Sequence, residues 1–379
     1  MKSTRIFLLT LLSIGAAGLA TPAFAWLNDS EQPGSVLVFP KFIRGTGNDL
    51  GVSGQPVHAI TEFEISVRCP DGATCDVGQA VRLRGHWVCP GCSEASFDLT
   101  TTVNGSLYFN PEGVVSVLGL ATANAFPSNA TTAIPVPPCD RGYLIVWAID
   151  NTTAGNAIKF DGLIGDAVIR APVSGFAPTT ARAYNAIPIQ AGDNLPVGTA
   201  LSPTLTDVNG DGALDFDGNE YRAITGRIFG TVRYENAVAP EGLVETDLTL
   251  LTLDAALGRS NPITSVGLNF YTTGEGIVDG PTALLCWREQ RLTNINSGFI
   301  KQVMGRKGLV ESYFAEQNGA PVTLLGLVET QERYVGVGDA TPGRSYSYLL
   351  SHDGKPVVTK FVPGATPGGA APGGAAPGF

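Results

Sequence analysis

Ten residues near the middle of the chain, Arg141 to Asp150 (RGYLIVWAID), constrain the fold more than any other stretch. From Tyr143 to Ile149 the residues are apolar at both parities, rich in β-branched and aromatic side chains. The run is bounded by Cys139-Asp140 before it and Asn151-Thr152-Thr153 after it. A strand with one wet face must alternate apolar and polar residues, and this one does not. It therefore predicts a strand buried on both faces, in the middle of a sandwich or barrel. No catalytic pattern lies within it, so it organises a core and says nothing of a reaction.

The rest of the chain supports the same class. Phe63, Ile65 and Val67 alternate with Glu62, Glu64 and Ser66, which reads as a strand with one face buried. Val81 to Arg84 and Phe97 to Thr100 repeat that alternation, and Val36 to Phe39 reads as a strand whose Pro40 marks an edge position or a strand end. Further strands are expected over 158–169, 227–235, 243–253, 266–271, 283–288, 322–330 and 346–350. Only 299–314 has helical character, and Gly305 and Gly308 weaken it. With 47 Gly, 26 Pro and 15% charged residues, the composition suits a turn-rich all-β protein. The fold expected is all-β, two β-sandwich-like domains in tandem with a Pro/Gly/Ala tail. The divisions are a leader at 1–25, an N-terminal sandwich at 26–170, a linker or extended segment at 171–201, a C-terminal sandwich at 202–362 and a tail at 363–379. The tail (PGATPGGAAPGGAAPGF) has nothing apolar to bury before Phe379 and reads as an extended appendage.

The chain opens as an export signal would. Lys2 and Arg5 precede an apolar stretch from Ile6 to Leu19, and Ala23-Phe24-Ala25 fits a signal-peptidase site. No later run is long and apolar enough for a transmembrane helix. Lys2 and Arg5 would leave with the leader, so 22 basic residues would face 34 acidic ones, a net charge of −12. A surface that acidic repels polyphosphate, and nucleic acid is set aside as a partner.

Export places the six cysteines, Cys69, Cys75, Cys89, Cys92, Cys139 and Cys286, in an oxidising compartment. An even count there favours disulfides. The pairing cannot be deduced from sequence, but closeness along the chain favours two local bridges among Cys69, Cys75, Cys89 and Cys92. Two other readings of this cluster are weaker. Four thiolates on zinc with His86 nearby conflict with an oxidising compartment. A redox C-x-x-C at Cys89 and Cys92 needs a helix N-terminus that no pattern here supplies.

The sharpest local chemistry is Asp207-Val-Asn209-Gly-Asp211-Gly-Ala213-Leu-Asp215, the first nine positions of a calcium-binding loop. Oxygen ligands at alternate positions converge on a hard cation, Gly212 permits the sharp turn, and Ala213 offers its carbonyl. Where a bidentate Glu belongs the chain has Gly218, so Asp217 or Glu220 would have to substitute. Calcium is expected here in a structural role, with an Asx-rich turn as the alternative. Catalytic patterns are sparse. His58, His86 and His352 lie far apart, and neither H-E-x-x-H nor G-x-S-x-G occurs. Trp147 and Trp287, each within an apolar strand, are expected in the core rather than on a sugar-stacking platform.

Four segments, GSVLVFPKF (Gly34–Phe42), RGYLIVWAID (Arg141–Asp150), FDGLIGDAVIR (Phe160–Arg170) and LDFDGNEYR (Leu214–Arg222), resemble a group of uncharacterised exported bacterial proteins. The resemblance is spread over strand cores. It implies a shared extracellular β-rich architecture and no activity, with Asp166 a candidate for a structural role in a turn. The function expected is a non-catalytic structural or binding role for an exported protein, in the periplasm, at the outer surface or outside the cell, with a surface glycan or protein partner. The alternatives are a secreted carbohydrate-active hydrolase, which would need a cleft with paired carboxylates, and a subunit of a self-assembling layer or filament.

Overall fold

Strands with an apolar face must pair and then stack, and the computed structural model shows how this chain does both. It describes residues 31–50, 56–76, 78–113, 115–118, 134–171, 180–192, 214–216, 218, 220–224, 226–233, 243–253, 263–272, 276–299, 308–317, 320–333 and 344–350. The leader, most of the 207–217 loop and the tail lie outside these residues. The described protein is all-β, in antiparallel sheets, with one four-residue helix among the described residues.

The first sandwich has two sheets that share a strand. β1 (Val36–Leu50), β2 (Pro56–Val67), β3 (Ala80–Val88), β4 (Glu94–Thr102), β5 (Ser106–Phe109) and β6 (Val115–Leu118) precede β7 (Arg141–Ile149). They are followed by β8 (Leu163–Ala171), β9 (Thr180–Asn185) and β10 (Ile187–Ile189). One sheet runs β4-β3-β7-β1-β10. In the other, β2 lies between β8 and β5, with β9 and β6 outermost. β1 belongs to both sheets: Val36 to Phe39 pair with β7, and Arg44 to Gly47 pair with β2.

The crossing falls where the register shifts, between Phe39 and Phe42. Pro40 stands there rather than at a strand end. Lacking an N–H, it interrupts the ladder while the strand continues, which is how a bulge re-aims a strand. Residues 180–189, within the segment expected to be a linker or extended piece, form β9 and β10 and pair into this sandwich. Asp166, expected in a turn, lies inside β8 opposite Glu64 and Asn185.

Aromatic rings from both sheets fill the space between them. Phe39 meets Phe63 edge-on at 5.0 Å, and Phe63 lies 5.6 Å from Trp87 and 5.3 Å from Phe109. A Cβ at Gly85 would lie 2.4 Å from the Phe97 ring, so glycine is what lets that ring lie flat over β3. β7 is buried along its length, as its sequence predicts. Leu144, Val146 and Ala148 face Trp87, Gly85 and Leu83 of the core. Tyr143 on its other face donates a hydrogen bond to the Thr252 carbonyl, 3.1 Å away in the second sandwich.

The second sandwich comprises β11 (Phe229–Val232), β12 (Leu243–Thr252), β13 (Thr264–Thr272), β14 (Ile277–Leu284) and β15 (Trp287–Arg291). After α1 (Leu292–Ile295) come β16 (Gly308–Gln317), β17 (Ala320–Pro321), β18 (Leu324–Arg333) and β19 (Arg344–Leu349). The stretch given helical character in sequence is strand from 308 onward, paired with β13 and β11. One sheet runs β11-β16-β13-β14 and the other β15-β12-β18-β19. On the latter, Leu248, Leu250, Leu324 and Val328 pack into the second core. Leu251, Trp287, Leu325 and Leu327, at the other parity, join the core of the first sandwich. That sheet is therefore a wall shared by both halves.

Candidate functional site

All six cysteines are paired: Cys69 with Cys75, Cys89 with Cys139, and Cys92 with Cys286. The first bridge is local, but Cys89 and Cys92 belong to separate, long-range ones. The reason is the turn at the end of β3. Cys92 has φ 62°, and its N–H donates to the Cys89 carbonyl at 2.9 Å. Cys89 is buried beside Cys139, while Cys92 sits at the tip and reaches Cys286 of the second sandwich. With every sulfur committed, the zinc and redox readings of the cluster have no thiol to use. His86 instead meets Glu94, Nδ1 to Oε2 at 3.2 Å, and the edge of Trp147. Burial pulls its pKa below the usual value, against the pull of Glu94.

Of the calcium-loop residues, Asp207, Asn209, Asp211, Ala213 and Asp217 lie outside the described residues. Asp215 is described, and its N–H donates to Glu220 Oε2 at 3.1 Å. The chain closes on itself there: Tyr221 N–H donates to the Asp215 carbonyl and Ile224 N–H to that of Phe216. The Phe216 and Tyr221 rings stack at 5.4 Å. Among the described residues no group of three or more His, Cys, Asp or Glu is placed to hold a metal.

The densest chemistry lies on the face of the β15-β12-β18 wall that meets the first sandwich. Lys41, 1% exposed, follows Pro40 in the β1 bulge and forms ion pairs with Glu289 of β15 and Glu329 of β18. Arg182 of β9 also pairs with Glu329, and Arg141 of β7 reaches Glu289 at 2.5 Å. Tyr184 donates to the Lys41 carbonyl, and Trp287 Nε1 donates to the Pro40 carbonyl at 2.8 Å. Behind them on β12, Glu245 takes Arg291 at 2.9 Å. Asp247 stands directly opposite Glu329 on one side and Arg291 on the other.

This cluster sets its own protonation states. Burial pushes the Glu329 carboxyl upward, but Arg182 and Lys41 outweigh that and hold it down at about 2. Asp247 goes the other way. Desolvation and the negative charges of Glu289 and Glu329 push it up to about 7, against Lys41 and Arg291. Chemically, the arrangement is a largely buried electrostatic clamp between the halves. Neither Lys41 nor Glu329 was singled out from sequence. The only signal was a lysine within an otherwise apolar strand, GSVLVFPKF.

A shallow groove of about 440 Å³ lies elsewhere on the second sandwich, lined among others by Pro281, Thr282, Arg288, Gln290 and Asn294. Arg288 is the one ionisable side chain in its lining, which contains no carboxylate. Among the described residues no helix is long and apolar enough to cross a membrane.

The fold and its bridges define a class, the disulfide-bonded β-sandwich proteins. No family model matches the chain, and no curated protein matches its sequence. Among solved structures it is compared with a viral chemokine binding protein, R17, encoded by rodent gammaherpesvirus Peru. That protein is 9% identical over 82% of this chain and 87% of its own, with a TM-score of 0.11. A likeness at that level carries no argument about fold or partner.

Proposed function

We propose that the protein is an exported, non-catalytic structural or binding module, working in an oxidising compartment outside the cytoplasm. The observation that carries this is the Cys92–Cys286 bridge, which ties residues 194 apart and joins the two sandwiches. Such a cross-link persists where thiols are oxidised and is rare where glutathione and thioredoxin hold them reduced. The rest of the framework agrees, since no described cysteine is free. The partner on this reading is a surface glycan or a protein, met on the outer faces of the sheets.

The test takes the protein from the extracellular and envelope fractions of its own cell. Denatured without reductant, it should react with almost no thiol reagent. Two or more reactive thiols per chain would overturn the oxidised, exported reading. Incubation with cell-surface polysaccharides should release no reducing ends, and sustained release would favour the hydrolase instead. We also propose that the Asp207–Asp215 loop takes calcium in a structural role. Millimolar calcium should then raise the thermal midpoint of the native protein and not that of Asp207→Ala with Asp211→Ala. Equal shifts would make the loop an ordinary turn.

A further inference from the structure

We propose that the seam between the two sandwiches is a proton-operated joint, with Asp247 as the group that takes up and releases the proton. The argument starts from where the charges stand. Three neighbouring strands, β15, β12 and β18, present Glu289, Asp247 and Glu329 on the face that meets the first sandwich. The first sandwich answers with Lys41 from β1, Arg141 from β7 and Arg182 from β9. Each of these cations is in contact with Glu289 or Glu329, and Arg291 is in contact with Glu245. Asp247 alone of the acids on this face makes no ion pair among the described residues.

A carboxylate in that position is the third negative charge against two that already share a lysine. It is also in direct register with one of them. Like charges on adjacent strands repel, and a partly buried site screens them poorly. With its proton on, Asp247 is neutral and Lys41 is shared by two acids. With the proton off, the third charge competes for Lys41 and pushes on Glu329, which loosens the contact that holds β1 and β9 to the wall. The Cys92–Cys286 bridge lies outside this cluster and keeps the halves tethered, so the joint opens without separating them.

The sign of the pH response separates this group from its neighbours. Asp247 has its proton affinity raised to about 7, so the folded state binds more protons than the unfolded one from the ordinary aspartate range up to neutrality. Stability on its account falls as pH rises through that window. Glu329, held at about 2, contributes stability that is present above its ordinary value and lost only in acid. His86, its pKa lowered, loses stability as pH falls below the ordinary histidine value, the opposite direction. Tyr184, raised well above the ordinary value by burial and Glu329, stays protonated throughout. Asp161 in the first sandwich, its carboxyl also raised by burial, responds with the same sign, so a fall in stability between about pH 6 and about pH 8 is assigned to Asp247 only by comparison with Asp247→Asn.

The experiment measures the thermal midpoint of the full protein across that range, alongside Asp247→Asn, which keeps the shape and cannot ionise. The native midpoint should fall by a few degrees and the variant's should stay level. A native midpoint that holds or rises, or an equal fall in the variant, overturns the proposal. A second readout tests the joint itself. At about pH 8, brief treatment with an amine acetylating reagent and peptide mass spectrometry should label Lys41 more in the native protein than in the variant. Equal labelling means that the charge affects stability without opening the seam, and the joint is refuted. Should Asp247→Asn fail to fold, carboxyl-carbon NMR of the aspartate-labelled native protein replaces it. The resonance assigned to Asp247 should titrate near neutrality, and an Asp247 that titrates below about 5 overturns the assignment, whatever the buried Asp161 does.

Discussion

Removing the bridge between the sandwiches should cost far more than removing the local one, and the difference follows from the lengths of chain they close. Cys92 and Cys286 are 194 residues apart, and Cys69 and Cys75 are 6 apart. In the chain-entropy account a cross-link stabilises by restricting the unfolded ensemble, in proportion to the logarithm of the loop. That gives about 5 kcal/mol for the long loop and about 2 kcal/mol for the short one. The Cys89–Cys139 bridge offers a short cut within the long loop, but shortening it by about a quarter changes the logarithm little. The perturbation is Cys92→Ser with Cys286→Ser, set against Cys69→Ser with Cys75→Ser. The assay is urea unfolding followed by tryptophan fluorescence, with the free energy taken from midpoint and slope. The long-range pair should lose more than twice what the local pair loses. Equal losses, or a larger loss at Cys69–Cys75, would refute the reasoning and place the stabilisation in local native contacts.

Lys41→Met should destabilise by about 3–5 kcal/mol, because it leaves two buried carboxylates short of a cation they share. Urea unfolding of Lys41→Met, Glu329→Gln and the double variant should show a strong coupling between them, and additive losses would mean that the contact contributes nothing. Gly142→Ala should be severely destabilising, since the new Cβ would lie 2.0 Å from the backbone oxygen of Val88 on the paired strand. Gly91→Ala, with nothing within 4 Å, should change stability by no more than about 0.5 kcal/mol in the same assay.

Much of the fold is legible in the sequence because each side chain reports its own solvent exposure. The double-sided apolar run of β7 can be read directly, and so can Trp147 and Trp287, which are buried as expected. What escapes is whatever depends on a partner far along the chain. Glu245 and Asp247 stand on one parity of β12 opposite Val244, Thr246 and Leu248 and have the polarity of a wet face, yet that face meets the first sandwich. Nothing local announces it, because the strands that cover that face, β1, β7 and β9, lie far upstream in the chain. The disulfide pairing fails for the same reason. Proximity in sequence suggests two local bridges among Cys69, Cys75, Cys89 and Cys92, and Cys69–Cys75 is one, but the left-handed turn at Cys92 carries its sulfur to Cys286, in a bend of the second sandwich that the sequence cannot place. Pro40 reads from sequence as an edge position or a strand end, because a proline cannot donate to a ladder. The bulge instead uses that missing donor to carry β1 from one sheet to the other.

The ion pair between Lys41 and Glu329 joins residues 288 positions apart. Contacts of such long range form late and slowly, because the intervening chain must be closed before they return any energy. During synthesis β1 therefore emerges long before the strand that neutralises its lysine exists. Until β18 arrives, the Lys41 ammonium stays in water, which keeps the apolar residues around it from closing early. The last strands to appear complete the first one, so the order of emergence works as a delay that holds the chain open until nearly all of it is present.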